Sequence, residues 1–126
     1  MSADNGIYIM QFKDQARVIY AQAIDNLYWS FQLMGSDDDF VPVRVYDYYR
    51  DVPAMTLEEA RAKAFELEEQ HDYLEYGISS FSMDMTWDEL RVKAKEQAAL
   101  ELVVIAGRND GRWDYDETRL HEIMND

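Results

Sequence analysis

The chain has 126 residues, contains no cysteine and carries a formal charge of −14, from 26 acidic and 12 basic residues. This length is typical of one domain, and the missing cysteines exclude disulfides, thiolate zinc sites and cysteine nucleophiles. The negative charge repels nucleic-acid phosphates and anionic lipids, so neither is an expected direct ligand. No run of about 18 apolar residues occurs and residues 1–9 lack the pattern of a signal peptide, so neither a membrane span nor export is expected.

The first third of the chain predicts a β-hairpin and a short helix. Residues 7–12 and 17–23 are rich in β-branched and aromatic side chains and flank a polar break, which is typical of paired strands. Residues 24–34 place apolar side chains at helical spacing, which favours a short helix. Residues 41–46 are again β-branched, with Pro42 near their start, and predict a third strand.

Two capping boxes mark the clearest helices. In Thr56-Leu57-Glu58-Glu59 and in Thr86-Trp87-Asp88-Glu89, the hydroxyl and the glutamate three residues later can each satisfy a free backbone N–H. The first helix is expected to reach about residue 70, with Leu57, Ala60, Ala64, Leu67 and His71 along one stripe. The second is expected to reach about residue 106, with Gly107 as its C′ residue.

The remaining segments predict one more strand and one more helix. Residues 74–81 predict a fourth strand, in which Gly77 marks a bulge or a close backbone approach. Residues 98–106 are apolar nearly all round, so this end of the helix is expected to be buried, and a strand over 102–106 is the alternative. Asp114 or Asp116 can cap a last short helix.

This order predicts an α+β fold, with a small, mainly antiparallel sheet of about four strands and the helices packed on one face. Residues 1–126 are expected to form a single domain. Within it, about residues 2–81 form the core and about residues 86–126 a helical C-terminal extension.

The negative charge is concentrated in the middle of the chain. Residues 37–89 hold fifteen acids and four bases, a net charge of −11, whereas residues 90–126 hold eight acids and six bases. Carboxylates on a rigid scaffold can imitate nucleic-acid phosphates and compete for the Lys and Arg side chains of a basic partner; solubility alone is the alternative explanation. The candidate partner-binding residues are Asp37, Asp38, Asp39, Asp47, Asp51, Glu58, Glu59, Glu66 and Glu69.

No catalytic, cofactor or metal site is predicted, and the protein is not expected to be an enzyme. His71 and His121 are isolated, so neither a catalytic triad nor a zinc site is indicated. Asp37–Asp39 could bind a hard cation, although a solvated acidic loop fits them better. Residues 110–117 lack the residue order of a calcium loop, and glycine-rich phosphate-binding motifs are missing.

Three segments resemble a family of small uncharacterised proteins of bacteriophages. These segments are Ser2-Ala3-Asp4-Asn5-Gly6-Ile7-Tyr8-Ile9, then Arg17-Val18 with Ala21-Gln22-Ala23-Ile24-Asp25-Asn26, and Leu74-Glu75-Tyr76-Gly77-Ile78. The resemblance covers roughly residues 2–81, departs from the family at Tyr20, where a histidine is expected, and carries over no functional residue. It implies a phage accessory protein in the host bacterial cytoplasm. By analogy with other small acidic phage proteins, it favours inhibition of host defence of the anti-CRISPR or anti-restriction type.

The leading hypothesis is therefore an inhibitor that binds a basic surface of a host protein or ribonucleoprotein complex and blocks nucleic-acid handling by mimicry. The alternative is a small-molecule binder that sequesters a nucleotide immune signal. It would stack a base on aromatic side chains and hold an anion with early arginines. Its candidate residues are Tyr8, Tyr20, Tyr28, Trp29 and Tyr76, with Arg17, Arg44 and Arg50. Homodimerisation is left open, and no sequence feature indicates a part of the virion.

Overall fold

A computed structural model of the chain describes residues 5–22, 41–71, 73–106 and 117–126. Their strands are β1 (Asn5–Gln11), β2 (Ala16–Gln22) and β3 (Ile78–Ser82). Their helices are α1 (Val41–Tyr49), α2 (Leu57–Glu69), α3 (Trp87–Ala106) and α4 (Glu117–Met124). The α+β class and the β1–β2 hairpin are confirmed, whereas the helix expected over residues 24–34 lies outside the described residues.

Within the described residues, the sheet has three strands in the order β2-β1-β3. β1 pairs antiparallel with β2, so that Ile9 lies opposite Val18. β1 pairs parallel with β3, so that Ile7 lies beside Ile78. The expectation of four mainly antiparallel strands is therefore corrected to three strands in a mixed sheet. Because α1 and α2 intervene between β2 and β3, the chain can return to the other edge of β1 in the parallel direction.

The strands separate two apolar layers, because successive side chains of a strand point to opposite faces of the sheet. Tyr8, Met10 and Phe12 point to one face and pack with buried residues of α1, α3 and α4. Ile7 and Ile9 point to the other face and pack with Ala60 and Ala64 of α2. The prediction that all helices lie on one face is wrong: α2 covers one face and the other helices cover the opposite one. Both faces of β1 are apolar, so both must be covered.

Residues 41–46 form the start of α1, and the prediction of a third strand there is wrong. Val43, Tyr46 and Tyr49 are buried at helical spacing, and β-branched side chains tolerate a helix when packing rewards it. Pro42 lies in the first turn, where its missing N–H costs no hydrogen bond. The proline was the signal in the sequence that should have favoured a helix.

α2 and α3 begin as their capping boxes predict. Thr56 accepts a hydrogen bond from the backbone N–H of Glu59 at 3.1 Å, and the Glu59 carboxylate accepts one from the backbone N–H of Thr56 at 3.0 Å. At α3, Thr86 accepts from the backbone N–H of Glu89 at 3.1 Å. The sequence did not predict that Asp14, in the hairpin turn, accepts from the backbone N–H of Trp87 at 3.0 Å.

α3 continues as a helix through residues 102–106, so the strand considered there does not form. Its last third is not buried all round: Leu100 and Val103 are 67% and 71% exposed, while Ala98 is fully buried. The expectation of a buried end is corrected. Gly107, Asp114 and Asp116 lie outside the described residues. The predicted last short helix forms as α4, and its Leu120 and Ile123 are buried.

β3 begins at Ile78, four residues later than predicted. Two glycines determine the backbone conformation and the close contacts near its start. Gly77 has a φ of +62°, a left-handed conformation that favours glycine, and its surroundings are open. The close approach occurs at Gly6 instead, where an added Cβ would lie 2.9 Å from the Tyr8 hydroxyl and 3.1 Å from the Tyr76 Cβ. Two residues on which the family resemblance depends therefore have structural roles.

Residues on either side of position 81 share one apolar cluster, since Met10 and Val43 pack with Leu90 and Leu120. The division into a core and a helical extension stays a prediction, as does the single domain. Within the described ranges, no helix combines the length and apolarity needed to cross a bilayer.

Candidate protein-binding surface

α2 presents a rigid outward face. Its inner side rests on the sheet through Ala60 and Ala64, which are at most 1% exposed, and small side chains let the helix lie close to the strands. The capping box fixes its first turn. Hydrogen bonds from the backbone and side chain of Thr56 lower the pKa of Glu59 and keep it ionised. The backbone positions that carry the carboxylates of this helix are therefore fixed.

The outward face of α2 is acidic. Glu58, Glu66 and Glu69 are exposed, as is Glu59, although Glu59 is occupied by the cap. Among the described residues, Glu66 pairs with Lys63 at 3.5 Å, and neither Glu58 nor Glu69 forms an ion pair. The structure thus brings together four of the nine predicted binding residues on a single helix.

An exposed aromatic side chain lies within this acidic face. Phe65 is 61% exposed, and the residues three and four positions away from it on the helix are Arg61, Ala62, Glu68 and Glu69. We call the residues Glu58, Glu66, Glu69 and Phe65 the α2 surface. Phe65 is not among the predicted binding residues. Its outward direction could be predicted, because it falls outside the inward stripe of Leu57, Ala60, Ala64 and Leu67.

Asp47 does not share this surface. It is 8% exposed, pairs with Arg50 at 3.4 Å and with Arg119 at 3.2 Å, and lies on α1. Arg50 in turn contacts Glu122 at 2.6 Å and Asp126 at 3.2 Å. Burial alone would lower the pKa of Arg50, but the hydrogen bonds to Glu122 and Asp126 outweigh burial and raise it. This ion network joins α1 to α4, so Asp47 has a structural role.

The other predicted acids are separate from α2. Asp51 is exposed beyond the end of α1 and lines an open, shallow groove with Arg50, His121, Glu122 and Asp126. Asp37, Asp38 and Asp39 lie outside the described residues. Of the nine predicted binding residues, four therefore lie together on α2, Asp47 and Asp51 lie apart from them, and three lie outside the described residues.

Tyr46 gives the α1–α4 contact a dependence on alkaline pH. Its side chain is 3% exposed and donates to the Asp126 carboxylate at 2.8 Å; burial and then this hydrogen bond raise its pKa to about 12. The unfolded chain titrates near the ordinary value of 10.0, so the folded state favours the neutral phenol. This stabilisation is complete below pH 10 and is lost as the pH rises toward 12.

Between pH 10 and 12 the free energy of unfolding should therefore fall less in Tyr46→Phe than in the unchanged protein. Urea denaturation measures this free energy at each pH. Tyr73→Phe serves as the control, because Tyr73 is 61% exposed. If the free energy of unfolding falls equally steeply with pH in Tyr46→Phe and in the unchanged protein, Tyr46 is not the group responsible.

Four of the residues predicted for a nucleotide site are buried or already in contact with other side chains, whereas Tyr76 is 39% exposed. Tyr8 is 3% exposed and stacks on Phe81, and Tyr20 stacks on His71 at 3.9 Å between ring centroids. Arg17 is buried over the Trp87 ring, and Arg50 is surrounded by carboxylates. Tyr28 and Trp29 lie outside the described residues.

Metal-binding geometry is also missing from the described ranges, where no three His, Asp or Glu side chains converge as ligands. His71 is held in the stack with Tyr20, and His121 lies 3.7 Å from Glu117 on the same helix. Both histidines therefore have local contacts that account for their positions.

Comparison with known proteins finds no matching family model, no matching characterised protein and no matching solved structure.

Proposed function

We propose that this protein is a binding protein whose α2 surface contacts a basic region of a partner. The observation that carries the proposal is the exposure of Glu58, Glu66 and Glu69 on one capped helix that is fixed to the sheet. Because the backbone of α2 is already fixed by its cap and by packing on the sheet, it loses little freedom on binding, and more of the attraction of its carboxylates to Lys and Arg contributes to affinity.

The charge spacing on α2 supports mimicry of a nucleic-acid strand. The helix carries five glutamates and two bases between Leu57 and Glu69. From Glu58 to Glu69 the axis rises by about 16 Å, or about one acid per 4 Å. One DNA strand carries a charge about every 3.4 Å along its axis. Net of its two bases, α2 carries three negative charges over this rise, or about one per 5 Å, which is somewhat sparser than the charge on one DNA strand but of the same order.

More specifically, we propose that the protein is a phage accessory protein that acts in the bacterial cytoplasm and inhibits a host nucleic-acid-handling or defence complex. The sequence resemblance and the net charge of −11 over residues 37–89 support this proposal. Phe65 adds an exposed apolar side chain to the α2 surface, and aromatic side chains surrounded by polar groups are frequent energetic centres of protein interfaces.

The triple variant Glu58→Lys, Glu66→Lys and Glu69→Lys tests the proposal. In a pull-down from bacterial lysate, the unchanged protein should retain basic nucleic-acid-binding proteins, and retention should fall between about 0.05 and about 0.5 M salt. The triple variant should lose at least about 90% of this retention, because attraction becomes repulsion at three neighbouring positions.

The matched control is the triple variant Asp84→Lys, Asp88→Lys and Glu117→Lys. The side chains of these residues are 98%, 74% and 61% exposed. It changes the net charge equally, and Asp88 matches Glu58 as an acid in the first turn of a helix. Retention by the control should stay close to that of the unchanged protein. If both triple variants lose retention equally, binding depends on net charge alone. If retention changes with neither triple variant nor with salt, the α2 surface is not the binding site.

A further inference from the structure

Within the described residues, β3 forms an open edge of the sheet. On one side it pairs with β1, in a continuous register without a bulge, and it is the last strand in the order β2-β1-β3. The opposite edge, along β2, is covered at its start, where Ala16 and Met55 exchange backbone hydrogen bonds of 2.7 and 2.9 Å. Most of β2 is also buried. β3 is therefore the edge that a further strand can reach.

Alternate residues of β3 direct their backbone groups away from β1. The Gly77 carbonyl accepts from the N–H of Ile7 at 2.9 Å, and the N–H of Met83 donates to the Gln11 carbonyl at 2.9 Å. Because consecutive residues of a strand direct their N–H and C=O groups to opposite sides, the odd-numbered residues between these two bonds face β1. The even-numbered residues face outward, and they are Ile78, Ser80 and Ser82. No hydrogen bond from another described element reaches their backbone groups.

The side chains around this edge leave its backbone accessible. Ser80 and Ser82 are exposed, and their small side chains do not shield the main chain. α2 packs mainly on β1 and β2, so it does not cover β3. The strand contains neither a proline nor a charged side chain, which are features that commonly protect edge strands from pairing.

We infer that the outer edge of β3 binds an extended, basic segment of a partner protein, which adds a further strand to the sheet. The edge presents the N–H and C=O groups of Ile78, Ser80 and Ser82 at the spacing of a strand, and an extended backbone is the ligand that matches this spacing. The inference goes beyond the proposed function, because it concerns a surface other than α2. It shares with that proposal only the basic character of the partner.

Charge at both ends of β3 selects a basic segment. Residues 73–85 contain two acids, Glu75 and Asp84, and no lysine or arginine. Asp84 lies two residues beyond the end of β3, and its side chain is 98% exposed. A segment that lies along the edge with Lys or Arg near its ends places these cations beside the two acids. Opposite charges on neighbouring strands stabilise their pairing.

The same two acids argue against a second copy of the chain on this edge. Two β3 strands that pair antiparallel about a twofold axis at Ser80 would place Glu75 of one copy diagonally beside Asp84 of the other. Like charges on adjacent strands are destabilising, and each copy also carries a net charge of −14. A basic segment of another protein meets neither repulsion.

Hydrogen exchange of the free protein tests whether the edge is open. The amides of Ser80 and Ser82 should exchange at least about tenfold faster than those of Ser79 and Phe81, because only the latter two face β1. Equal protection along β3 would show that the outer groups are already bonded, and the inference would be wrong.

Binding is measured with a short synthetic peptide of alternating valine and threonine with a lysine at each end. Addition of this peptide up to about 1 mM should slow exchange at Ser80 and Ser82 at least about tenfold. Methylation of the peptide's backbone nitrogens removes its donors and should abolish this protection. Glutamate in place of both lysines should weaken binding at least about tenfold, because attraction to Glu75 and Asp84 becomes repulsion.

Ser80→Pro tests the edge from the side of the protein. Proline lacks the outward N–H, and an edge strand tolerates it where that N–H faces solvent. Ser80→Pro should weaken peptide binding about tenfold, whereas Ser80→Ala, which keeps the N–H, should bind within about twofold of the unchanged protein. Circular dichroism checks that both variants are folded. If Ser80→Pro unfolds, the methylated peptide tests the same hydrogen bonds.

Four binding results would overturn the inference. The first is a lack of added protection at Ser80 and Ser82, and the second is equal binding of the lysine and glutamate peptides. The third is binding that persists both in a folded Ser80→Pro and with the methylated peptide. The fourth is a dimer in sedimentation equilibrium that Ser80→Pro dissociates, which would assign the edge to a second copy.

The α2 variant separates this inference from the proposed function. The triple variant Glu58→Lys, Glu66→Lys and Glu69→Lys should lose retention of lysate proteins but still bind the lysine peptide on β3. If this triple variant loses the peptide while Ser80→Pro retains it, the peptide binds the α2 surface and the inference about β3 is wrong. A failed lysate pull-down with intact peptide binding would refute the proposed function alone.

Discussion

Arg17→Met should lower the free energy of unfolding by about 3 kcal/mol, and the midpoint of thermal unfolding by about 10 °C. Arg17 is 9% exposed, and its guanidinium donates to the carbonyl oxygens of Tyr49 at 3.0 Å and Val52 at 2.8 Å. Tyr49 is the last residue of α1 and Val52 lies just beyond it, where carbonyls lack the N–H partners of a continuing helix. The Tyr49 carbonyl also accepts from the backbone N–H of Val52, at 3.3 Å. Methionine preserves the stem but leaves both carbonyls without this donor.

The guanidinium also lies 3.7 Å from the centre of the Trp87 ring, a cation–π contact worth about 1 kcal/mol. Burial lowers the pKa of Arg17. Arg17 therefore joins β2, the end of α1 and the start of α3 in one place. Because lysine cannot donate as a planar fork, Arg17→Lys should recover only part of the lost stability.

The control for Arg17 is Lys13→Met. Lys13 lies 3.5 Å from Asp84, and their side chains are 53% and 98% exposed, so its loss should cost less than about 0.5 kcal/mol. Urea unfolding curves measure both variants. A change of less than about 0.5 kcal/mol for Arg17→Met would show that water replaces the guanidinium at both carbonyls.

Asn5→Ala should lower the free energy of unfolding by about 2 kcal/mol and loosen the segment that leads into β3. Asn5 is 5% exposed. Its amide nitrogen donates to the Tyr73 carbonyl at 2.8 Å and to the Tyr20 hydroxyl at 3.2 Å, and its oxygen accepts from the backbone N–H of Glu75 at 2.9 Å. One side chain thus ties three positions to the start of β1.

Hydrogen exchange separates this local effect from global destabilisation. In Asn5→Ala, the amide of Glu75 should exchange faster than the amides at the centre of β1, because its acceptor is removed. Asn5→Asp should be intermediate, since it retains an acceptor for Glu75 but loses the donor to Tyr73. Gln11→Ala, an exposed position of the same strand, is the control. If Asn5→Ala speeds amide exchange equally in residues 73–77 and in β1, Asn5 stabilises the whole fold rather than the segment that leads into β3.

Local sequence signals were sufficient where the determining contacts lie within a few residues. The capping boxes at Thr56 and Thr86 position their helices correctly, because each cap joins atoms no more than three residues apart. The hairpin follows from alternating apolar residues around a polar turn. The exposure of Glu58, Glu66 and Glu69 also follows from the helical period, so most of the α2 surface could be predicted.

Only the tertiary structure decided the features that depend on distant parts of the chain. Residues 41–49 are helical because Val43, Tyr46 and Tyr49 enter a core shared with α3 and α4, although their local pattern resembles a strand. Asp47 is buried because Arg119, 72 residues away, pairs with it. The outward direction of Leu100 and Val103 likewise depends on which side of α3 packs against α1 and α4.

The sequence by itself therefore determined the acidic charge, its concentration in residues 37–89, and the helix that presents part of it. The tertiary structure decided that Asp47 is buried, that the sheet is mixed and covered on both faces, and which side of α3 faces outward. The physical reason is that charge and capping are local properties of the chain. Burial instead depends on the surfaces that meet when the chain folds.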